Sequence, residues 1–119
     1  VWACSFDGTW TKRGSSEGGD FVWNVIWTSD GRSGWRITGD YVDDYGDSIL
    51  DGDCSNRKCS LTQVYQNGEL AGSRYTWNGR YTDEVINDSR TINRFDGTWG
   101  ESAAASEGTW RAVATCSRQ

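Results

Sequence analysis

The sequence predicts an all-β protein: an antiparallel meander closed into a small up-and-down β-barrel of about eight strands. Three observations carry that expectation. Apolar and polar residues alternate with period two along most of the chain, the pattern of half-buried strands. Turn signals recur at intervals of roughly 8–12 residues, the spacing found in sandwiches and barrels. The first and last alternating segments each carry a cysteine on their apolar face, and bonding the two would make the ends of the sheet neighbours and remove its edges.

The elements follow in order. Trp2, Cys4 and Phe6 share one face of the first strand. Gly14–Gly19 reads as a flexible loop. In the next strand Phe21, Trp23, Val25 and Trp27 alternate with Val22, Asn24, Ile26 and Thr28; both faces are largely apolar, which predicts a strand covered on both sides. Asp30-Gly31 marks a turn. Between Gly34 and Val42, Trp35, Ile37 and Tyr41 alternate with Arg36, Thr38 and Asp40. Strands near Ser48–Cys54 and Cys59–Gln66 come next, the latter with Leu61, Gln63 and Tyr65 opposite Thr62 and Val64. Asn67-Gly68 reads as a type I′ hairpin turn, because both residues tolerate positive φ, and Asn78-Gly79 reads as a second, between Tyr75–Trp77 and Arg80–Thr82. Final strands are expected near Thr91–Trp99 and Gly108–Cys116, where Trp110, Ala112, Ala114 and Cys116 share a face. No window holds an apolar i, i+3, i+4 stripe, and Ala103–Ala105 is read as a loop rather than a helical turn.

At 119 residues the chain makes one domain, 1–119, large enough to bury a core without a metal. The four cysteines at 4, 54, 59 and 116 offer only one tight pair, so disulfides fit better than a zinc site. Of three possible pairings, Cys4–Cys116 with Cys54–Cys59 is preferred; another pairing would leave a sandwich open. Such bonds place the protein in a secreted or periplasmic setting. The chain starts Val1-Trp2-Ala3-Cys4 with no Met, as a processed mature form would. No apolar run approaches a membrane span.

Acid-Gly-Thr-Trp occurs three times, at Asp7–Trp10, Asp96–Trp99 and Glu107–Trp110. Each copy reads as a turn feeding a strand that begins with an inward tryptophan. Gly8-Thr9-Trp10 on the first strand and Trp110-Arg111 on the last resemble the calycin pattern of lipocalins and avidins. The resemblance covers the two chain ends only. It implies a calycin-like barrel in which Trp10 closes the floor and Arg111 packs across it; no ligand site is carried over.

The absence of histidine removes every mechanism that needs an imidazole. A net charge of −5 argues against nucleic acid as a partner. Asp40–Asp53 holds six aspartates and no cation. These could attract calcium, but the EF-hand spacing is missing, and a solvated acidic turn is the better reading. Catalysis would fall to carboxylates, Tyr or Arg, since Ser and Thr lack a base. No cofactor is expected. Asn87-Asp88-Ser89 matches a glycosylation sequon, relevant only in a eukaryotic source.

Eight tryptophans are the main excess. Trp10, Trp23, Trp27, Trp99 and Trp110 are assigned to the core. Trp35, Trp77, Tyr65 and Tyr75 are expected to line a mouth or groove, with Arg36, Gln63 and Arg74 orienting a small planar or apolar ligand or a sugar. The leading expectation is therefore a non-enzymatic, extracytoplasmic ligand binder. The alternative is a secreted inhibitor or immunity protein that meets a basic protein partner through Asp43, Asp44 and Asp47; a small carboxylate-dependent enzyme is third.

Overall fold

Inward and outward side chains alternate along eight strands: β1 (Trp2–Lys12), β2 (Gly18–Ser29), β3 (Gly34–Asp43), β4 (Gly46–Ser55), β5 (Lys58–Tyr65), β6 (Arg74–Asn87), β7 (Arg90–Gly100) and β8 (Gly108–Arg118). The computed structural model describes residues 1–31, 34–43 and 45–119; Asp44 of the acidic stretch lies outside the described residues. Each strand pairs antiparallel with the next, and β1 pairs with β8, so the predicted meander closes into a barrel in sequence order. Among the described residues there is no α-helix, and no helix is long and apolar enough to cross a membrane.

The ladder explains the closure. Cys4 stands opposite Cys116 across β1 and β8, and Cys54 opposite Cys59 across β4 and β5. Both pairs face inward and both are bonded. Because β1 begins where β4 ends, the two disulfides staple the same end of the barrel. These bonds belong to an oxidising environment.

The interior is packed with rings. Phe6 and Phe95 lie 4.8 Å apart, Phe21 and Trp23 4.5 Å, and Trp23 and Trp77 5.0 Å. Edge-to-face and offset contacts at such spacing add roughly 0.5–1.5 kcal/mol per pair beyond area burial. Ile37, Leu50 and Leu61 complete the core from β3, β4 and β5.

Several local expectations are corrected. The outer face of β2 has no cover: Val22 and Ile26 are 51% and 40% exposed. Asn78-Gly79 makes no turn and sits in the middle of β6, where Gly79 pairs with Gly97. A β-carbon at Gly79 would stand 2.6 Å from the Trp110 ring, so the glycine is there to admit that ring. Asn67-Gly68 is no two-residue hairpin either. Gly68 has φ of 78°, but the connection runs on to Ser73, closed by Gly72 N–H donating to the Tyr65 carbonyl and Ser73 N–H to that of Leu70.

Of the acid-Gly-Thr-Trp copies, only the third opens a strand. Gly8 and Gly97 lie inside β1 and β7. Gly and Trp are two apart, so both face inward; a β-carbon at Gly8 would meet the Phe21 ring and one at Gly108 the Trp99 ring, whereas at Gly97 it would meet the Asn78 backbone of β6. Trp10 is half-buried rather than a sealed floor, and Arg111 is exposed on the outer wall. The fully buried plug is Trp110, whose indole N–H donates to the carbonyls of Asn78 and Thr98 at 3.0 and 3.2 Å.

Candidate functional site

The end of the barrel away from the disulfides opens into a cavity of about 270 Å³, just below the roughly 300–1,000 Å³ of ligand clefts. Four connections ring it: β1–β2, β3–β4, β5–β6 and β7–β8. Period two decides which side chains reach it. Tyr41 and Asp43 come inward from β3, Gln63 and Tyr65 from β5, Tyr75 and Trp77 from β6, and Trp99 from β7. Trp10, Phe21 and Trp23 add the β1–β2 side.

A line of hydrogen bonds fixes the floor. Trp77 Nε1 donates to Gln63 Oε1 at 3.1 Å, Gln63 Nε2 donates to Ser48 Oγ at 3.0 Å, and Ser48 Oγ donates to the Tyr41 carbonyl at 3.2 Å. Gln63 and Ser48 are 2% and 1% exposed, so these bonds spare buried polar groups an unpartnered state. At the rim, Tyr65 Oη donates to Asp43 Oδ2 at 2.5 Å, and Asp43 Oδ1 accepts the Tyr45 backbone N–H at 2.8 Å. Glu107 accepts the Glu101 backbone N–H, and its own N–H donates to the Trp99 carbonyl, tying the β7–β8 connection over the mouth. Arg13 N–H donates to the Glu107 carbonyl and joins the β1–β2 connection to it.

Interior indoles differ in one respect. Those of Trp77, Trp99 and Trp110 all donate to acceptors. Among the described residues the buried indole N–H groups of Trp23 and Trp27 have no partner. Trp23 borders the mouth cavity, and Trp27 borders a smaller one, about 180 Å³, at the stapled end with Trp2, Trp35, Tyr81 and Asn93.

The expected site residues therefore divide. Trp77, Tyr65, Tyr75 and Gln63 share the mouth cavity. Trp35 lines the opposite cavity, because it enters β3 beside Cys54, near the other end. Arg36 points outward by alternation and bridges Asp51 at 2.6 Å and Asp53 at 3.4 Å. Arg74 is exposed on the outer face of β6. The residues missed are Glu17, Tyr41, Tyr45, Glu101 and Glu107 at the rim, with Trp10, Trp23 and Trp99 now at a cavity wall. The acidic stretch is also better partnered than its composition suggests. Asp47 holds Asn67, accepting from Asn67 Nδ2 at 3.0 Å, and Arg36 answers Asp51 and Asp53 from the neighbouring strand. Two wider depressions, about 730 and 560 Å³, lie open on the outer wall around Gly97 and Gly8. Among the described residues no three acidic or cysteine side chains converge as a metal site.

The phenols feel this environment. Burial first, then the Asp43 hydrogen bond, pushes the Tyr65 hydroxyl well above its ordinary range. Burial and the carboxylates of Glu101 and Glu107 raise Tyr75, and burial and Asp83 raise Tyr81. Each shift favours the neutral phenol in the fold, so above the unfolded value of about 10 the unfolded chain binds fewer protons than the folded one. Stability from these groups is intact below that pH and falls as pH rises beyond it. Alkaline titrations followed by absorbance at 295 nm should show these three tyrosines ionising at higher pH in the folded protein than in the urea-unfolded chain. Coincident titration curves for the folded and unfolded chain would refute the assignment.

No family model matches the chain, and no curated protein matches it. Among solved structures, the ywiB protein from Bacillus subtilis is similar over 99% of this chain and 91% of its own, with a TM-score of 0.59 at 5% identity. That likeness concerns the fold alone.

Proposed function

We propose that this is a non-enzymatic binding protein, acting in a secreted or periplasmic setting, that holds a small planar or apolar molecule or a sugar against Trp and Tyr in the open end of its barrel. The observation that carries this reading is the cavity itself: a concave space walled by aromatic rings, with a few fixed polar groups at floor and rim, as small-molecule sites are built. Gln63 serves by holding the Trp77 indole in place. The alternative of a basic protein partner has less support, because Asp43 turns inward to Tyr65 and Asp47 is held by Asn67.

Tryptophan fluorescence, titrated with a panel of neutral aromatic heterocycles and monosaccharides, tests the reading. Trp77→Ala should abolish binding, but Trp77 is 7% exposed and its loss also opens the core. The half-buried Tyr75 is the cleaner probe: Tyr75→Ala should weaken a bound panel member about tenfold, the effect of removing one stacking face. Trp35→Ala, at the other end, should leave affinity unchanged. If Trp35→Ala weakens binding as much as Tyr75→Ala does, the ligand sits elsewhere and the reading fails.

A further inference from the structure

We infer that the mouth cavity selects a small organic cation: an ammonium seated among the aromatic rings near the acidic rim, carrying a hydrogen-bond acceptor for the Trp23 indole. This rests on the reading of the cavity as a ligand site and names its ligand class.

Three independent features converge. The charged side chains that border the cavity are Lys12 on one side of the count and Glu17, Asp43, Glu101 and Glu107 on the other. The ion pairs among the described residues join Arg36 to Asp51 and Asp53, and Arg57 to Asp83, so no cation among the described residues pairs with any of these four carboxylates. Glu101 and Glu107 act in the same direction on the Tyr75 phenol, which burial first and then these two carboxylates raise. The walls beneath this rim are aromatic rings, and ring faces attract cations because their quadrupole is negative there. Trp10, Tyr75 and Trp99 form a connected cluster, with Trp99 5.4 Å from Trp10 and 6.3 Å from Tyr75, each at a steep angle. Finally, Trp23 borders this cavity, and its buried indole N–H has no acceptor among the described residues. A buried donor without a partner is costly unless something in the cavity accepts from it.

Each alternative class satisfies fewer of these. A hydrocarbon leaves both the rim charge and the Trp23 donor unanswered. An anion would accept from Trp23 but meet the carboxylates. A neutral sugar answers the donor and the rings, not the charge.

The test pairs choline with 3,3-dimethylbutan-1-ol, which has the same shape and hydroxyl with carbon in place of the charged nitrogen. Binding is followed by tryptophan fluorescence and calorimetry at low ionic strength. Choline should bind at least about tenfold tighter than the alcohol. Glu101→Gln with Glu107→Gln should cut choline affinity roughly five- to tenfold and leave the alcohol unaffected. The side-chain amide oxygen at position 107 can still accept the backbone N–H of position 101, and an unchanged melting temperature would verify the fold. Added salt should weaken choline alone. Equal affinities, or indifference to the double change, would overturn the cation inference while leaving the cavity reading in place. So would silence toward both probes when a neutral heterocycle or sugar binds. If no probe of any class binds, the cavity reading fails as well.

Discussion

Replacing Cys4 and Cys116 together by alanine is expected to lower the unfolding free energy by about 4–5 kcal/mol, whereas replacing Cys54 and Cys59 should cost only about 2 kcal/mol. The two bonds look alike in the fold: both are inward, cross-strand and at the same end. What separates them is the chain they close. One spans 112 residues and the other 5. In the folded state the β1–β8 ladder already holds Cys4 opposite Cys116 along eleven paired positions, Trp2 to Lys12, so the bond does little to bring them together there. Its effect falls on the unfolded chain, where it forbids every conformation with distant ends, and loop-closure entropy grows with loop length. Urea titrations would show this in two ways. The midpoint should drop much further for the 4/116 variant than for the 54/59 variant. The slope should also steepen for the former, because the freed chain exposes more surface on unfolding. Equal losses for the two variants would mean that the bonds act through local packing, not through the unfolded state.

That asymmetry also explains what was legible in the sequence. The closure was readable because its signals, two inward cysteines and two apolar faces, sit at the chain ends and need no knowledge of what lies between. Alternation gave the strands for the same reason: it is local. Asn78-Gly79 was misread because the dipeptide is a local turn signal overridden from a distance. Gly79 serves a ring that arrives from residue 110, and nothing near residue 79 announces that. The site was half legible. Gln63, Tyr65, Tyr75 and Trp77 were found because β5 and β6 are sequence neighbours with readable parity. Trp35 was wrongly joined to them because parity says which side of the wall a residue faces but not its height in the barrel. Height follows from register: Trp35 lies opposite Cys54, and Cys54 opposite Cys59, at the stapled end. Arg36 and Arg74 fail on parity itself, each being one residue out of phase with an inward neighbour. Glu101 and Glu107 lie on a connection without periodicity, so no pattern could place them over the mouth.

Trp110→Ala should be the most damaging single truncation, with an expected loss of about 3–5 kcal/mol. The ring is 1% exposed and stands 5.7 Å from Phe95, 5.9 Å from Trp77 and 6.0 Å from Trp23, so its removal opens a void among rings that belong to three other strands. It also strands the carbonyls of Asn78 and Thr98, which now accept the indole N–H. Trp10→Ala should cost much less, since Trp10 is half-buried at the mouth and water can replace it. Gly79 supplies the sharper test. Gly79→Ala alone should cost about 1–3 kcal/mol as an overpacked site, because its new β-carbon would press on Trp110 Cζ2 at 2.6 Å. In a Trp110→Ala background that ring is gone, and the added methyl enters the void it left. The two changes should therefore be less than additive by 1 kcal/mol or more, the coupling of residues that share one space being about 0.5–3 kcal/mol. Part of the cost should persist, since the Asp96 carbonyl would still lie 3.0 Å from the new carbon. Equilibrium denaturation of the wild type, both single variants and the double closes the cycle. Strict additivity would show that Gly79 is needed for the bend or twist of β6, and not to seat the Trp110 ring.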